Sequence, residues 1–189
     1  QIQFASRQVF TSGDAPDVLV AMNPAALKTN LSDVKNGGTI IANSGAFTDN
    51  SLAKAGYAAN PLKDGSLGNY RVYEIDIPGL TALALKDSGL SKKDVGRCKN
   101  YYALGLMLSL YSRPLDKEEG DVRKKFAKKP ELAEANVLAL RAGYAYVEAT
   151  EMFITSYRVR AADIRAGTYR SLTGNHATAL GFVAASELS

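Results

Sequence analysis

The spacing of apolar residues changes several times along the chain, and the changes outline an alternation of strands and helices. Ile2, Phe4 and Val9 stand on a period of about two, which predicts a strand at the very start. Val18-Leu19-Val20-Ala21-Met22 is a short apolar run after Gly13, Asp14 and Pro16, and Asn23-Pro24 closes it. Pro24 suits a first helical turn, and Leu27, Leu31 and Val34 then predict a helix over 25–34, stopped by Asn36-Gly37-Gly38. Thr39-Ile40-Ile41-Ala42 is apolar on both faces, as a parallel strand between helical layers must be, and Asn43-Ser44-Gly45 bounds it. A short helix is predicted at 51–57, a strand at 70–77 closed by Pro78-Gly79, and a helix at 80–87. This order predicts a doubly wound α/β sheet.

From Arg97 the pattern becomes helical throughout. Tyr101, Leu104, Leu108 and Tyr111 mark one face, while Leu106, Met107 and Leu110 fill the other. A helix apolar nearly all round is buried or sits at a subunit interface. Residues 116–129 are charged, and Pro130-Glu131 then starts a long helix with Val137, Leu140, Tyr144 and Val147 on one side. These two helices predict a stable oligomer interface. Residues 155–172 read as a basic, irregular connector, and Thr173-Gly174-Asn175 opens a fresh apolar helix, as at a domain boundary. The chain enters at Gln1 directly into the alternating segment and stops at Ser189 inside that last helix, without a closing glycine or proline. Together the two ends predict a segment of a longer polypeptide.

Composition narrows the class. The 189 residues are 46% hydrophobic and 22% charged, which is ordinary for a globular domain with a real core. No apolar run is long enough for a membrane helix, and the start lacks the features of a signal peptide. The one cysteine, Cys98, can form neither an internal disulfide nor a zinc or iron–sulfur site by itself. A cytoplasmic location is expected. The net charge of +4 comes largely from Arg123, Lys124, Lys125, Lys128 and Lys129. Phe126 is the only ring in that run, so it reads as a solvated helix face and no nucleic-acid partner is expected.

Candidate chemistry is sparse. His176 is the only histidine, and neither Ser171 nor Ser186 stands in a nucleophile-elbow context, so a hydrolase triad is not expected. His176 reads as a partly exposed residue near a helix start. The acid groups Asp116, Glu118 and Glu119, and Glu148 with Glu151, read as solubilising helix charges. No metal-ligand spacing, Gly-x-Gly-x-x-Gly or P-loop is present. Ligands of open α/β sheets bind at loops after strands. That rule selects Asn23, and Asn43 with Ser44 and Gly45, whose amide, hydroxyl and free backbone suit a phosphate or a carbonyl. The same residues are also ordinary turn formers.

Several stretches together resemble the thiamine-dependent 2-oxoacid:ferredoxin oxidoreductases. They are Pro16-Asp17-Val18-Leu19-Val20-Ala21, Gly37-Gly38-Thr39-Ile40-Ile41-Ala42-Asn43-Ser44 and Lys99-Asn100-Tyr101-Tyr102-Ala103-Leu104-Gly105. The most specific is Lys125-Phe126-Ala127-Lys128-Lys129-Pro130-Glu131-Leu132-Ala133-Glu134-Ala135-Asn136, continuing to Arg141-Ala142-Gly143-Tyr144, which resembles the closing helical signature of the family's gamma domain. Gly174-Asn175-His176-Ala177-Thr178-Ala179-Leu180-Gly181 is similar to the opening of the alpha domain. The order resembles the alpha subunit with a gamma domain fused to its front, as in the 2-oxoglutarate type.

The resemblance implies a gamma domain over 1–154 lacking its first βαβ portion, a linker over 155–172, and the start of a thiamine-binding alpha domain over 173–189. The implied fold is an incomplete, Rossmann-like doubly wound domain followed by helices and the first alpha-domain helix. The implied activity is oxidative decarboxylation of a 2-oxoacid with coenzyme A to an acyl-CoA, reducing ferredoxin. Thiamine diphosphate, Mg2+ and an iron–sulfur cluster belong to the holoenzyme, and the implied partners are the beta subunit and ferredoxin in a hetero-oligomer. The family's glycine-rich first strand–turn–helix and its Tyr-Pro-Ile-Thr-Pro stretch are absent, and His176 stands where Glu or Gln is usual. No catalytic residue is therefore carried over. Scaffold, subunit interface and a wall of the coenzyme A cleft are the implied roles, and Gly174 and Asn175 join Asn23, Asn43, Ser44 and Gly45 as cofactor-binding candidates. The alternative is a non-catalytic α/β nucleotide-binding or interaction module, against which the missing glycine-rich loops weigh.

Overall fold

In the computed structural model, residues 2–10, 13–154, 156–170 and 172–188 are described. Three parallel strands, β1 (Val18–Ala21), β2 (Thr39–Asn43) and β3 (Arg71–Ile75), form one sheet in the order β1-β2-β3. The register pairs Val20 with Ile41 and Ile41 with Tyr73. Helices cover both faces, so β2 is buried along its whole length. Its alternate residues enter different cores. Ile40 and Ala42 pack with Leu27 and Leu52 on one side, and Ile41 packs with Ile75, Leu106 and Ala139 on the other. This is the strand–helix alternation with a parallel sheet that the apolar runs predict.

The strand expected over Ile2 to Val9 is not one. Residues 2–10 carry no regular structure, and Ile2 is 87% exposed. A two-residue period makes a strand only beside a partner, and β1 pairs with β2 alone. Phe4 instead lies edge-on to Tyr111, with ring centroids 4.9 Å apart.

Boundaries move for local reasons. Helix α1 (Pro24–Asn30) gives way to a 3-10 turn over Leu31–Asp33, so the helix expected to 34 is shorter. Helix α2 is Asp49–Lys54, and Gly56, at φ 72, lies beyond its end. Pro78 does not close β3 but occupies the first turn of α3 (Ile77–Ala84), where proline's missing N–H costs nothing. Asp76 caps this helix by accepting from the Gly79 N–H at 3.1 Å. Helix α4 (Lys92–Leu110) starts earlier than its apolar pattern, because the Ser91 hydroxyl accepts from the Asp94 N–H at 3.2 Å and so caps the first turn. The charged stretch holds helix α5 (Asp116–Lys125), with carboxylates in its first turn and cations in its last, matching the helix dipole. Helix α6 (Pro130–Thr150) ends at Glu151 in the left-handed region, φ 47.

Helices α4 and α6 pack face to face. A Cβ at Gly105 would collide with the Leu140 carbonyl, and one at Gly143 with the Tyr102 carbonyl. The two glycines therefore let the backbones touch. Part of the apolar surface expected at an oligomer interface is buried within the chain, since Leu106 and Leu140 have no exposure, and part is not, since Leu104 is 36% exposed.

Helix α5 is clamped to α6 by charge. Glu119 is 8% exposed and accepts from Arg141 Nε at 2.6 Å and Nη2 at 2.7 Å. Arg123 reaches Glu119 at 3.4 Å and Glu134 at 2.8 and 3.1 Å. The Arg141 hydrogen bond and charge, with help from Arg123, hold the Glu119 carboxyl below its usual range. Glu119 is therefore not the solubilising charge its neighbours suggest; its partner lies 22 residues away, beyond any local spacing rule. The lysines beside Arg123 do face solvent. Lys125 rests over the Tyr101 ring, 5.9 Å from its centroid, within the range of a cation–π contact.

Candidate functional site

The strand ends gather four of the six candidate residues. β1 runs through Met22 to Asn23, whose extended backbone (φ −163, ψ 168) starts α1. Its Oδ1 accepts from the Ala26 N–H at 2.8 Å, so Asn23 is an N-cap and its acceptor is occupied. Asn43 closes β2 with no exposure at all. Its Nδ2 donates to the Met22 carbonyl at 3.1 Å and ties the two strand ends together. That bond also fixes which way the amide points, because only the amino group can face a carbonyl. The other end, Oδ1, is buried and has no donor among the described residues. Leaving such an acceptor unmet costs about 1–3 kcal/mol.

Ser44 and Gly45 lie in the 3-10 turn Ser44–Ala46 that follows β2. Ser44 is half-buried and Gly45 exposed. A Cβ on Gly45 would strike Asp76 Oδ1, and one on Gly79 would strike Asp76 Oδ2. The carboxylate at the end of β3 is thus seated between two glycines, exposed, with no ion pair to it among the described residues. Asp76 is absent from the candidates that the sequence yields. Its signal is Asp76-x-Pro78-Gly79 after a β run, a pattern that fits a helix start as well as the closing turn expected there.

The acceptors at these strand ends are the buried, unmet Asn43 Oδ1 and the exposed Asp76 carboxylate. A phosphate needs donors or cations, which these two groups are not, while the Ser44 hydroxyl in the following turn is one. An N–H or O–H donor is the chemical complement of the exposed Asp76 carboxylate.

The other two candidates are not brought there by any contact. Gly174 and Asn175 open helix α7 (Gly174–Leu188), every residue of which is exposed. His176 is exposed too, its N–H donating to the Thr173 hydroxyl oxygen at 3.4 Å. Ser171 lies outside the described residues, as do Gln1 and Ser189. Glu148 and Glu151 are exposed, as solubilising charges are.

Metal chemistry finds no ligands here. Among the described residues no three His, Cys, Asp or Glu side chains come together. Cys98 is buried and donates to the Asp94 carbonyl at 3.4 Å. Burial pushes its thiol pKa up, away from the thiolate a cluster needs. The described residues therefore bring together no such set of side chains for an iron–sulfur cluster or a bound Mg2+. Among the described residues no helix is long and apolar enough to cross a membrane.

Residues 1–146 match the family described as pyruvate ferredoxin/flavodoxin oxidoreductase. Over 189 residues the chain is 50% identical to the 2-oxoglutarate oxidoreductase subunit KorA of Mycobacterium tuberculosis (strain ATCC 25618 / H37Rv). It covers 29% of that subunit's length. Its backbone is similar to a 2-oxoglutarate:ferredoxin oxidoreductase from Magnetococcus marinus, solved with 2-oxoglutarate, coenzyme A and succinyl-CoA bound. The TM-score is 0.56 at 23% identity, over 85% of this chain and 24% of that one. At that identity the likeness concerns the fold.

Proposed function

This chain belongs to the pyruvate ferredoxin/flavodoxin oxidoreductase family, and we propose that it is part of a 2-oxoglutarate:ferredoxin oxidoreductase. One observation carries the substrate: 50% identity to a 2-oxoglutarate oxidoreductase subunit along all 189 residues. In this reading 2-oxoglutarate loses carbon dioxide, its remaining acyl group joins the thiol sulfur of coenzyme A, and two electrons pass to ferredoxin. Residues 1–154 are the gamma domain, 155–172 the linker and 173–189 the start of the alpha domain. The beta subunit completes a cytoplasmic hetero-oligomer.

The chemistry is divided between this segment and the rest of the assembly. Thiamine diphosphate supplies the electron sink for decarboxylation, and with its Mg2+ and the iron–sulfur cluster it is held by residues outside this chain. What the segment offers is a rigid wall. The exposed Asp76 carboxylate, fixed at the end of β3, meets the hydroxyl and amide N–H groups of coenzyme A's pantetheine arm, and the buried Asn43 holds the neighbouring strand ends together. Asn23 and Ser44 set the loops on either side. Gly174 and Asn175 lie at the entry to the alpha domain and contribute from there.

The test is the full-length subunit purified with its beta subunit and assayed for ferredoxin reduction. Reduction that requires both 2-oxoglutarate and coenzyme A is expected. Turnover with pyruvate in place of 2-oxoglutarate would overturn the substrate, and no turnover with any 2-oxoacid would overturn the reading.

A further inference from the structure

We propose that the groove between α3 and α4 is a docking surface for an acidic, apolar segment of the partner beta subunit. The proposal rests on the hetero-oligomer reading above and assigns a place to the contact. Pro78, Leu85, Leu90 and Val95 form the groove's apolar walls, around a volume of about 440 Å³. Leu90 also borders a second hollow, of about 260 Å³, between the starts of α4 and α6. Leu83, on α3 but not in the lining of the groove, is also 64% exposed. Exposed apolar surface grouped around a groove marks a contact site more often than scattered residues do.

The charges say what kind of partner fits. Lys86 and Lys92 line the main groove and no carboxylate does. Lys86 has only a loose contact with Asp87, at 4.0 Å between two exposed side chains. Lys92 stands in the first turn of α4, where the helix dipole disfavours a cation. The nearby Asp94 is already engaged by the Ser91 hydroxyl at 2.7 Å and by Arg97 at 3.3 Å. An incoming carboxylate flanking apolar side chains satisfies both lysines while covering the walls, as an amphipathic segment laid in a groove does.

Gly96 lines the groove and is exposed. A glycine inside a helix costs about 1 kcal/mol relative to alanine, and a Cβ here would meet nothing within 4 Å. Gly105 and Gly143 have their reason in the α4–α6 contact, but none of the described residues explains Gly96. A segment lying against it does.

The experiment uses the full-length subunit carrying Gly96→Cys, labelled with a charged maleimide before and after addition of the beta subunit. The native Cys98 is buried and gives little background. Rapid labelling of the isolated subunit is expected, falling by an order of magnitude or more in the complex. Equal labelling in both states would overturn the proposal. So would an unreactive Cys in the isolated subunit, because its own chain would then cover the groove. The Lys86→Glu, Lys92→Glu pair should weaken binding of the beta subunit about tenfold at low salt and less at high salt; unchanged binding would overturn the charge argument and the proposal with it. A wild-type subunit that binds no beta subunit is a different result, and overturns the hetero-oligomer reading itself.

Discussion

Helices α4 and α7 draw on the same residue types, alanine, leucine and glycine with an aromatic ring, yet one is the centre of the molecule and the other touches solvent everywhere. In α4, Leu106 has no exposure and Gly105 lies against the Leu140 carbonyl. In α7, Leu180 is 57% and Phe182 74% exposed, and a Cβ on Gly181 would meet nothing. A helical glycine is informative only through what stands opposite it. Gly105 and Gly143 are a reciprocal pair, each seating the other helix's backbone, whereas Gly181 faces open space.

The sharpest way to break the comparison is to add bulk at the reciprocal pair. Gly143→Val forces its side chain into the Tyr102 carbonyl, part of a helix backbone that cannot swing aside. A loss of about 3 kcal/mol or more is expected, the upper range for overpacking. Gly181→Ala should leave the melting temperature unchanged and only raise helicity slightly. Thermal unfolding followed by circular dichroism checks both. Equal, small effects would mean that α4 and α6 are not packed through their glycines.

Next in size is the charge clamp. Glu119→Gln keeps the shape but removes the charge that Arg141 and Arg123 share, and a drop of a few degrees in melting temperature is expected at neutral pH. The pH dependence has a definite sign. Folding lowers the Glu119 pKa, so the folded state gains from the ionised carboxylate. That contribution is fully present above the unfolded glutamate range, near 4.5, and disappears as pH falls through the lower folded value. Wild type and Glu119→Gln should therefore differ most at neutral pH and converge in acid. A difference that grows on acidification would sink this account.

The contrast also explains what the sequence alone makes legible. Buried strands can be read because β-branched residues stand in continuous runs: Thr39-Ile40-Ile41-Ala42 lies within β2 and is buried throughout. The faces of α4 and α6 follow from spacing, but not their destination, because periodicity shows that a face is apolar and not what covers it. Ile2, Phe4 and Val9 show the same gap in reverse, a strand period without a strand partner. Position after a strand is enough to single out Asn23 and Asn43 as candidates. Their different states, one a cap and one a buried amide with an unmet oxygen, depend on contacts that no local pattern encodes. Glu119 and Asp76 escape a sequence reading for that reason: one is buried by partners on another helix, the other seated by glycines on either side of it in the chain.

A smaller effect sharpens the comparison at the site. Gly45→Ala pushes on the Asp76 carboxylate and disturbs the cap of α3, at a cost of about 1 kcal/mol. Most of the cost should disappear in an Asp76→Ala background, since the obstructing oxygen is gone and only the Pro78 Cδ, 3.2 Å from the added Cβ, remains close. Chemical denaturation of the four proteins in the cycle measures the coupling. Independent, additive losses would show that Gly45 and Asp76 do not share the space.

The smallest effect belongs to α7. Phe182→Lys replaces a ring that is 74% exposed. The stability of the 189-residue chain should therefore change by less than about 0.5 kcal/mol. In the full-length subunit the same change should lower the melting temperature by several degrees, because the proposed alpha domain would cover that ring. Ordinary exposed aromatics do not behave differently in a segment and in the whole. A ring that is neutral in one and costly in the other is a buried residue seen without its cover. Equal and negligible effects in both proteins would place α7 on a permanent surface, and would remove the support that its apolar residues give to a domain beginning at residue 173.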